Sequence, residues 1–485
     1  MASRTTKTLI LAGANSSATL LTLVLAMVLS RIFSKSEYAT FRQSLLVFTC
    51  VAPLLGLGLE KSVLYFIPQD PAKARRIFIN VVVGTLATGV LFAIACILLG
   101  PHFLANQFNN PALRETIPWV GLFGIGMLLN AIAAPAMMAL ERVTWAAYWS
   151  LGSRLLTFAV VMLSLLVEAT PVSAVRAMSL ATFVVGLLSI GLIVSASHGQ
   201  WELPSLIGIK ELLKYAIPIS VASVLEGLAM SLDRVLVSML CTPEQFAVFS
   251  NGAMEIPFIG IITGAAMAVI MPDMVRAFTS GDVPTGHRLW CAASKKAALA
   301  IIPLGGLLFV LAPWLMVLLY SSAYAEAANP FRLYLLLLPA RVMFFGAIFQ
   351  AAGRTDIILW RACGTLILNV LVSYPLIVAF GISGAAIGTL IVFWGYVIPH
   401  CMYYSARILK IPIRSVLPLN HLLALLAITG LSIVGAFGIT KIVPSVGVYQ
   451  AFLAAFTYTL LCSAMLTAIV GPKQILATVK TICAR

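Results

Sequence analysis

Charged side chains inside apolar, helix-length runs are the first residues that could do chemistry. Arg341 stands about ten residues into one such run and Arg154 about seven into another. A bilayer charges several kcal/mol for an ionised side chain unless it is paired, hydrated or able to reach the interface. Arg341 is too deep to snorkel easily and reads as a cavity cation, with Arg154 intermediate. Arg31, Arg42 and Arg234 lie at the ends of their runs, where a cavity position and an interfacial anchor are both open. Guanidinium groups bind phosphate oxygens bidentately and stay protonated when partly desolvated, so inward arginines suit an anionic ligand.

Three acids accompany them: Glu226, Asp233 and Glu255. Glu226 and Asp233 are seven residues apart and share a helix face. Each acid has two readings. One is an arginine partner, Glu226 with Arg341 or Asp233 with Arg31; the other is coupling to H+ or Na+ through a carboxyl that desolvation keeps protonated. The two coexist if an arriving anion displaces a carboxylate from Arg341.

The elements that must position these groups are membrane helices. The chain is 61% hydrophobic and 10% charged, too apolar to cover a soluble globule with polar surface. Its net charge of +15 fits basic loops on one side of a membrane; nucleic-acid binding is excluded, because no soluble basic region exists to host it. Apolar runs long enough to span the hydrocarbon predict fourteen transmembrane helices with short loops. The run after Arg4 and Lys7 has no cleavage pattern and reads as a retained first helix. Lys and Arg concentrate in the loops on the side holding both termini, as in Lys73, Arg75, Arg76 and Lys295, Lys296, which predicts cytoplasmic termini in a bacterial inner membrane. The eight cysteines and five histidines show no metal-ligand spacing, so no metal, cofactor or disulfide framework is expected, and no catalytic set is present.

An internal echo divides the chain. Ala26-Met27-Val28-Leu29-Ser30-Arg31 reads like Ala229-Met230-Ser231-Leu232-Asp233-Arg234, Asn110-Pro111 like Asn329-Pro330, and Arg142 with Gly152 match Arg354 with Gly364 at one shared offset. The order is preserved, which predicts a parallel repeat: a six-helix lobe over residues 1–196, a cytoplasmic linker 197–209, a second six-helix lobe 210–410, and two further helices with a tail over 411–485. In this alignment Arg31 and Arg234 correspond, whereas Glu226 and Asp233 are peculiar to the second lobe. Pro218 and Pro339 are the prolines expected at moving parts, and the cluster Gly121, Gly124, Gly126 is expected to serve close helix packing.

The SRIFSKSEYATFRQ loop, the proline-bearing second helix ending Gly56-Leu57-Gly58-Leu59-Glu60-Lys61-Ser62-Val63, and their degenerate copy after Asp233-Arg234 resemble the polysaccharide transporter family. This is the O-antigen-type lipid-linked oligosaccharide flippase branch of the multidrug/oligosaccharidyl-lipid/polysaccharide exporter superfamily. The resemblance implies two lobes around a central cavity and alternating-access transfer of an undecaprenyl-diphosphate-linked oligosaccharide to the outer leaflet, for surface polysaccharide synthesis. A polysaccharide polymerase and a chain-length regulator are the protein partners it implies. Arg341, Arg154, Arg42, Arg31 and Arg234 would then meet the diphosphate, and Asn15, Asn369, Tyr374 and Trp394 the glycan, with Trp360 and Tyr396 also available. Three alternatives stand beside this reading. Lipid II flippases carry a further arginine in their first helix, whereas Asn15 to Thr22 is uncharged here. A cation-coupled multidrug exporter predicts a cavity of acids and aromatics and usually twelve helices. A membrane glycosyltransferase or polymerase needs a sizeable outer loop that the chain lacks.

Overall fold

A computed structural model describes residues 4–197, 203–254, 257–442 and 447–470. The described chain is helical and contains no strand. That is what a bilayer demands of a single chain that is not a closed barrel, since every backbone polar group must be satisfied within its own segment. Among the described residues eleven helices are long and apolar enough to cross a membrane, and a bent pair makes a twelfth; Ser16–Ile32 adds a shorter apolar stretch. Close contacts divide the chain into two units, Met1–Ala247 and Val248–Arg485.

The first unit contains α1 (Arg4–Ile32), α2 (Lys35–Gly56), α3 (Leu59–Gln69), α4 (Ala74–Leu98), the short α5 (Gly100–Gln107), α6 (Leu113–Ala139), α7 (Val143–Val167), α8 (Pro171–Ala196) and α9 (Leu206–Leu240). The loop between α1 and α2 is little more than a cap: the Ser34 hydroxyl accepts from Glu37 N–H at 3.3 Å and the Glu37 carboxylate accepts from Ser34 N–H at 2.9 Å. Ser205 caps α9 in the same way, so the predicted linker ends in the first turn of a helix. The apolar core centres on Leu59, Val63, Phe78, Val81, Ile132 and Ile193. The glycine cluster does serve close packing: a Cβ on Gly121 would press on the Ala93 backbone of α4, one on Gly124 on the Phe92 ring, and one on Gly126 on the Thr182 backbone of α8.

By sequence echo α9 opens the second lobe, yet by contact it lies in the first unit. The reason is a seam of small residues. Gly58 lies on Ala216 and Ser220, Pro53 on Gly227, Cys50 within hydrogen-bonding reach of Ser231, and Gln43 on Ser238. These α9 positions recur at alternating spacings of four and seven residues, which keeps them on one helix face, and their small size lets two membrane backbones approach closely. The α2–α3 span is itself broken where α9 crosses it: Leu57 and Gly58 are both left-handed, at φ 46° and 67°. α9 runs unbroken through Pro218.

The second unit begins within α10 (Pro243–Gly252) and continues through α11 (Pro257–Thr279), α12 (Val283–Tyr320), α13 (Ala328–Leu335), α14 (Leu338–Arg341), α15 (Gly346–Ala351), α16 (Thr355–Phe380), α17 (Ile382–Val392), α18 (Ile398–Leu409), α19 (Leu419–Ile442) and α20 (Val448–Val470). A core of Val310, Ile428, Ala436, Ala454 and Tyr458 fastens the last two helices to α12, and the Tyr458 hydroxyl donates to Pro303 C=O at 2.7 Å.

Candidate functional site

The tenth predicted span does not form one helix. It runs as a 3-10 segment over Ser322–Ala327 and α13, bends by 41°, and continues through α14 and α15. Pro339 is at the break. Lacking an N–H, it leaves the preceding turn's carbonyls without a helical donor, and the Trp394 indole N–H donates to one of them, Leu336 C=O, at 3.3 Å. The four-residue α14 ends at Arg341 and is followed by turns at Val342 and Met343. Broken helix at membrane depth is tolerated where it is buried in protein or lines a cavity. Here it lines one.

That cavity, of about 250 Å³, is bounded by Met254, Ile259, Thr263, Phe331, Tyr334 and Leu338, with Arg341 in its wall. Arg341 is the charged residue among the described lining, and no acid is found there. The remaining polar atoms are hydroxyls of Thr263 and Tyr334. A cation beside two hydroxyl donors and aromatic rings, in an otherwise apolar wall, has the chemistry that suits a compact anion.

The other predicted residues are distributed as follows. Arg31 is exposed at the end of α1 and Arg154 on α7, whereas Arg42 on α2 and Arg234 on α9 are half-buried. Asp233 is 6% exposed on α9. Glu255 lies outside the described residues, as do the side chains of Glu226 and Asn15. Asn369 is 4% exposed on α16, one turn from Ser373, which packs on Gly388 of α17. Tyr374 is exposed on α16, and Trp394 spends its N–H on the break just described.

Two arrangements escaped the sequence. Arg332 in α13 donates through Nε to Phe309 C=O at 3.0 Å, with its guanidinium 5.4 Å from the Phe309 ring and 5.5 Å from that of Phe437. Pro313, four residues on, leaves that carbonyl without its helical donor, so Arg332 repairs a proline defect in α12 and ties α13 to α19. The second is a buried amide network in the first unit. Gln43 donates to Ser238 Oγ at 2.9 Å and to Phe108 C=O at 3.5 Å, and accepts from Asn110 Nδ2 at 2.7 Å. Asn110 also donates to Thr40 Oγ1 at 2.9 Å, Ser44 donates to Thr116 Oγ1 at 2.7 Å, and Asn109 donates to Met239 C=O at 3.3 Å. The network binds the last turn of α9 to α2. The available signal was an amide, Gln43, in an apolar helix. Gln43→Leu leaves buried partners unsatisfied at about 1–3 kcal/mol each, and the expected outcome is a lower melting temperature of the detergent-solubilised protein, with exposed Ser36→Ala, two turns earlier on α2, as a near-neutral comparison.

The profile of a family described as "Polysaccharide biosynthesis protein" matches residues 28–329, from the last turn of α1 to the start of α13. The chain belongs to that family. The match takes in the Gln43 network and the α2–α9 seam and ends before Arg341. No curated protein matches the chain by sequence. Among solved structures, the lipid II flippase MurJ in an inward closed conformation is similar at a TM-score of 0.72 and 15% identity, covering 94% of this chain and 99% of MurJ. An inward-facing multidrug resistance MATE transporter of the MOP superfamily gives 0.65 and 18%, covering 81% and 95%. A MOP superfamily transporter from Pyrococcus furiosus, described as having a binding pocket of reversed polarity, gives 0.56 and 18%, covering 84% and 96%. At these identities the likeness establishes the fold, an all-α polytopic membrane architecture shared with MurJ and the MATE transporters. The family resemblance carried by the SRIFSKSEYATFRQ and Gly56–Val63 segments is borne out.

Proposed function

We propose that this member of the polysaccharide biosynthesis protein family is a flippase that carries a polyprenyl-diphosphate-linked oligosaccharide from the cytoplasmic to the outer leaflet by alternating access. The observation that carries the reading is the cavity at the broken span, whose described lining holds Arg341 and no acid. Its polarity favours an anionic headgroup over the cationic amphiphile of a multidrug exporter. Its volume of about 250 Å³ lies below the usual small-molecule pocket range of roughly 300–1,000 Å³ and suits a diphosphate, with the glycan held elsewhere. The prenyl tail stays in lipid, where its transfer costs little. In this reading both termini are cytoplasmic, as the basic loops require, and the Gln43 network closes the outer end of the first unit. Asp233, buried beside the α9 seam, is the acid we assign to ion coupling.

Depleting the protein in its native host is expected to reduce surface polysaccharide while the lipid-linked intermediate accumulates on the inner leaflet, read by enzymatic labelling of spheroplasts against inverted vesicles. Accumulation on the outer leaflet instead, or unchanged polysaccharide, would sink the proposal.

A further inference from the structure

Glycine inside a helix is a weaker choice than alanine, because it orders more backbone freedom and brings no side chain to pack. Contact with another helix accounts for it at Gly121, Gly124 and Gly126. Gly260 of α11 is different. It lines the Arg341 cavity, and a Cβ built on it meets nothing within 4 Å among the described residues. Its backbone does not call for glycine either, since it is not among the glycines with positive φ. Gly152 on α7 and Gly191 on α8 are equally open, but neither borders this cavity.

A second glycine shapes the same space from behind. Leu338 of α14 lines the cavity immediately before the Pro339 break, and it is seated on Gly305 of α12. A Cβ on Gly305 would fall 2.7 Å from Leu338 Cδ1, too close for the leucine to keep its place. The tip of Leu338 would have to move, and the unfilled space beside it is the cavity. Two missing methyl groups, one in the α11 wall and one behind the α14 wall, therefore set how much room remains next to Arg341.

We infer that Gly260 and Gly305 are specificity-determining residues of the Arg341 site, holding room for a diphosphate where filled walls would admit a monophosphate alone. The inference rests on the flippase reading, in which Arg341 binds the headgroup. A flexible joint near the start of α11 is the competing account of Gly260, and the two differ in what they make of side-chain size. A joint is stiffened alike by alanine and by leucine, whereas a cavity wall is filled in proportion to the group added.

The test uses the full chain in nanodiscs with farnesyl phosphate and farnesyl diphosphate, which share one tail, measured by calorimetry against empty nanodiscs. Wild type is expected to prefer the diphosphate. Gly260→Ala should weaken the diphosphate several-fold and Gly260→Leu about tenfold or more, with monophosphate affinity and melting temperature held. Gly152→Leu should change neither affinity. Gly305→Ala should also weaken the diphosphate, and Leu338→Val added to it, which removes the displaced Cδ1, should restore binding. Equal losses from Gly260→Ala and Gly260→Leu, equal losses for the two probes, or diphosphate binding unchanged in both Gly260→Ala and Gly305→Ala would overturn size selection. Each of those results leaves the flippase reading standing, provided wild type prefers the diphosphate and Arg341→Ala loses it. Wild type that binds neither probe would overturn the flippase reading and this inference together.

Discussion

Gly58→Ala is expected to be among the most damaging single-methyl substitutions in the first unit. At φ 67° a side chain costs about 1 kcal/mol in backbone strain. The larger effect is steric: the new Cβ would overlap Ser220 Oγ and press 3.0 Å from Ala216 C=O, a backbone atom that cannot rotate away. Overpacking of this kind costs about 1–3 kcal/mol, so the two effects together reach about 3 kcal/mol. Leu57 is already left-handed beside it, which leaves the break little room to adjust. A thermal-shift measurement in detergent should show a marked fall in melting temperature. Gly152→Ala is the control, since nothing lies within 4 Å of its Cβ position on α7 and alanine favours the helix. Equal melting temperatures for the two variants would show that α9 does not hold the break in the arrangement described.

Arg341→Ala should abolish transfer of the lipid-linked saccharide in proteoliposomes. Two charge-assisted hydrogen bonds to a diphosphate, each worth about 1.5–3 kcal/mol, correspond to a loss of at least a hundredfold in affinity. Arg341→Lys should fall between, because an ammonium keeps the charge and loses the bidentate fork. Arg341 ends a four-residue helix beside a cavity, so its truncation enlarges that space, and folding of the variant is checked by its melting temperature. Full transport by a folded Arg341→Ala protein would remove the cavity from the mechanism.

Arg341 and Pro339 could be singled out from sequence because both signals are local. An arginine ten residues into an apolar run has an energetic cost visible without coordinates, and proline breaks a helix through its own missing N–H. The glycine cluster was legible for a similar reason, since small residues at helical spacing are useful only to a close neighbour. Arg332 was not: its role depends on the carbonyl of Phe309, orphaned by a proline in another helix. Gln43 was visible as an amide in an apolar helix, but its partners Asn110 and Ser238 lie far away in sequence, and only folding makes them neighbours. The aromatic residues show the same divide, because ring type can be read at each position whereas stacking cannot. Tyr396, His400 and Tyr404 each read as rings in an apolar helix, and only the fold shows them stacked along one side of α18.

By itself the sequence determined an all-helical, polytopic membrane protein, the placement of its apolar runs, and which arginine lies too deep to be accidental. Each follows from the cost of putting a given group in hydrocarbon, a property of one residue and its immediate neighbours. Only the tertiary structure decided that α9 lies along the broken second span, that Arg341 borders a cavity without a described acid, and that Tyr396, His400 and Tyr404 stack along α18. Those are properties of pairs of distant residues, fixed by packing, and the linear pattern of hydrophobicity does not encode which helix faces which.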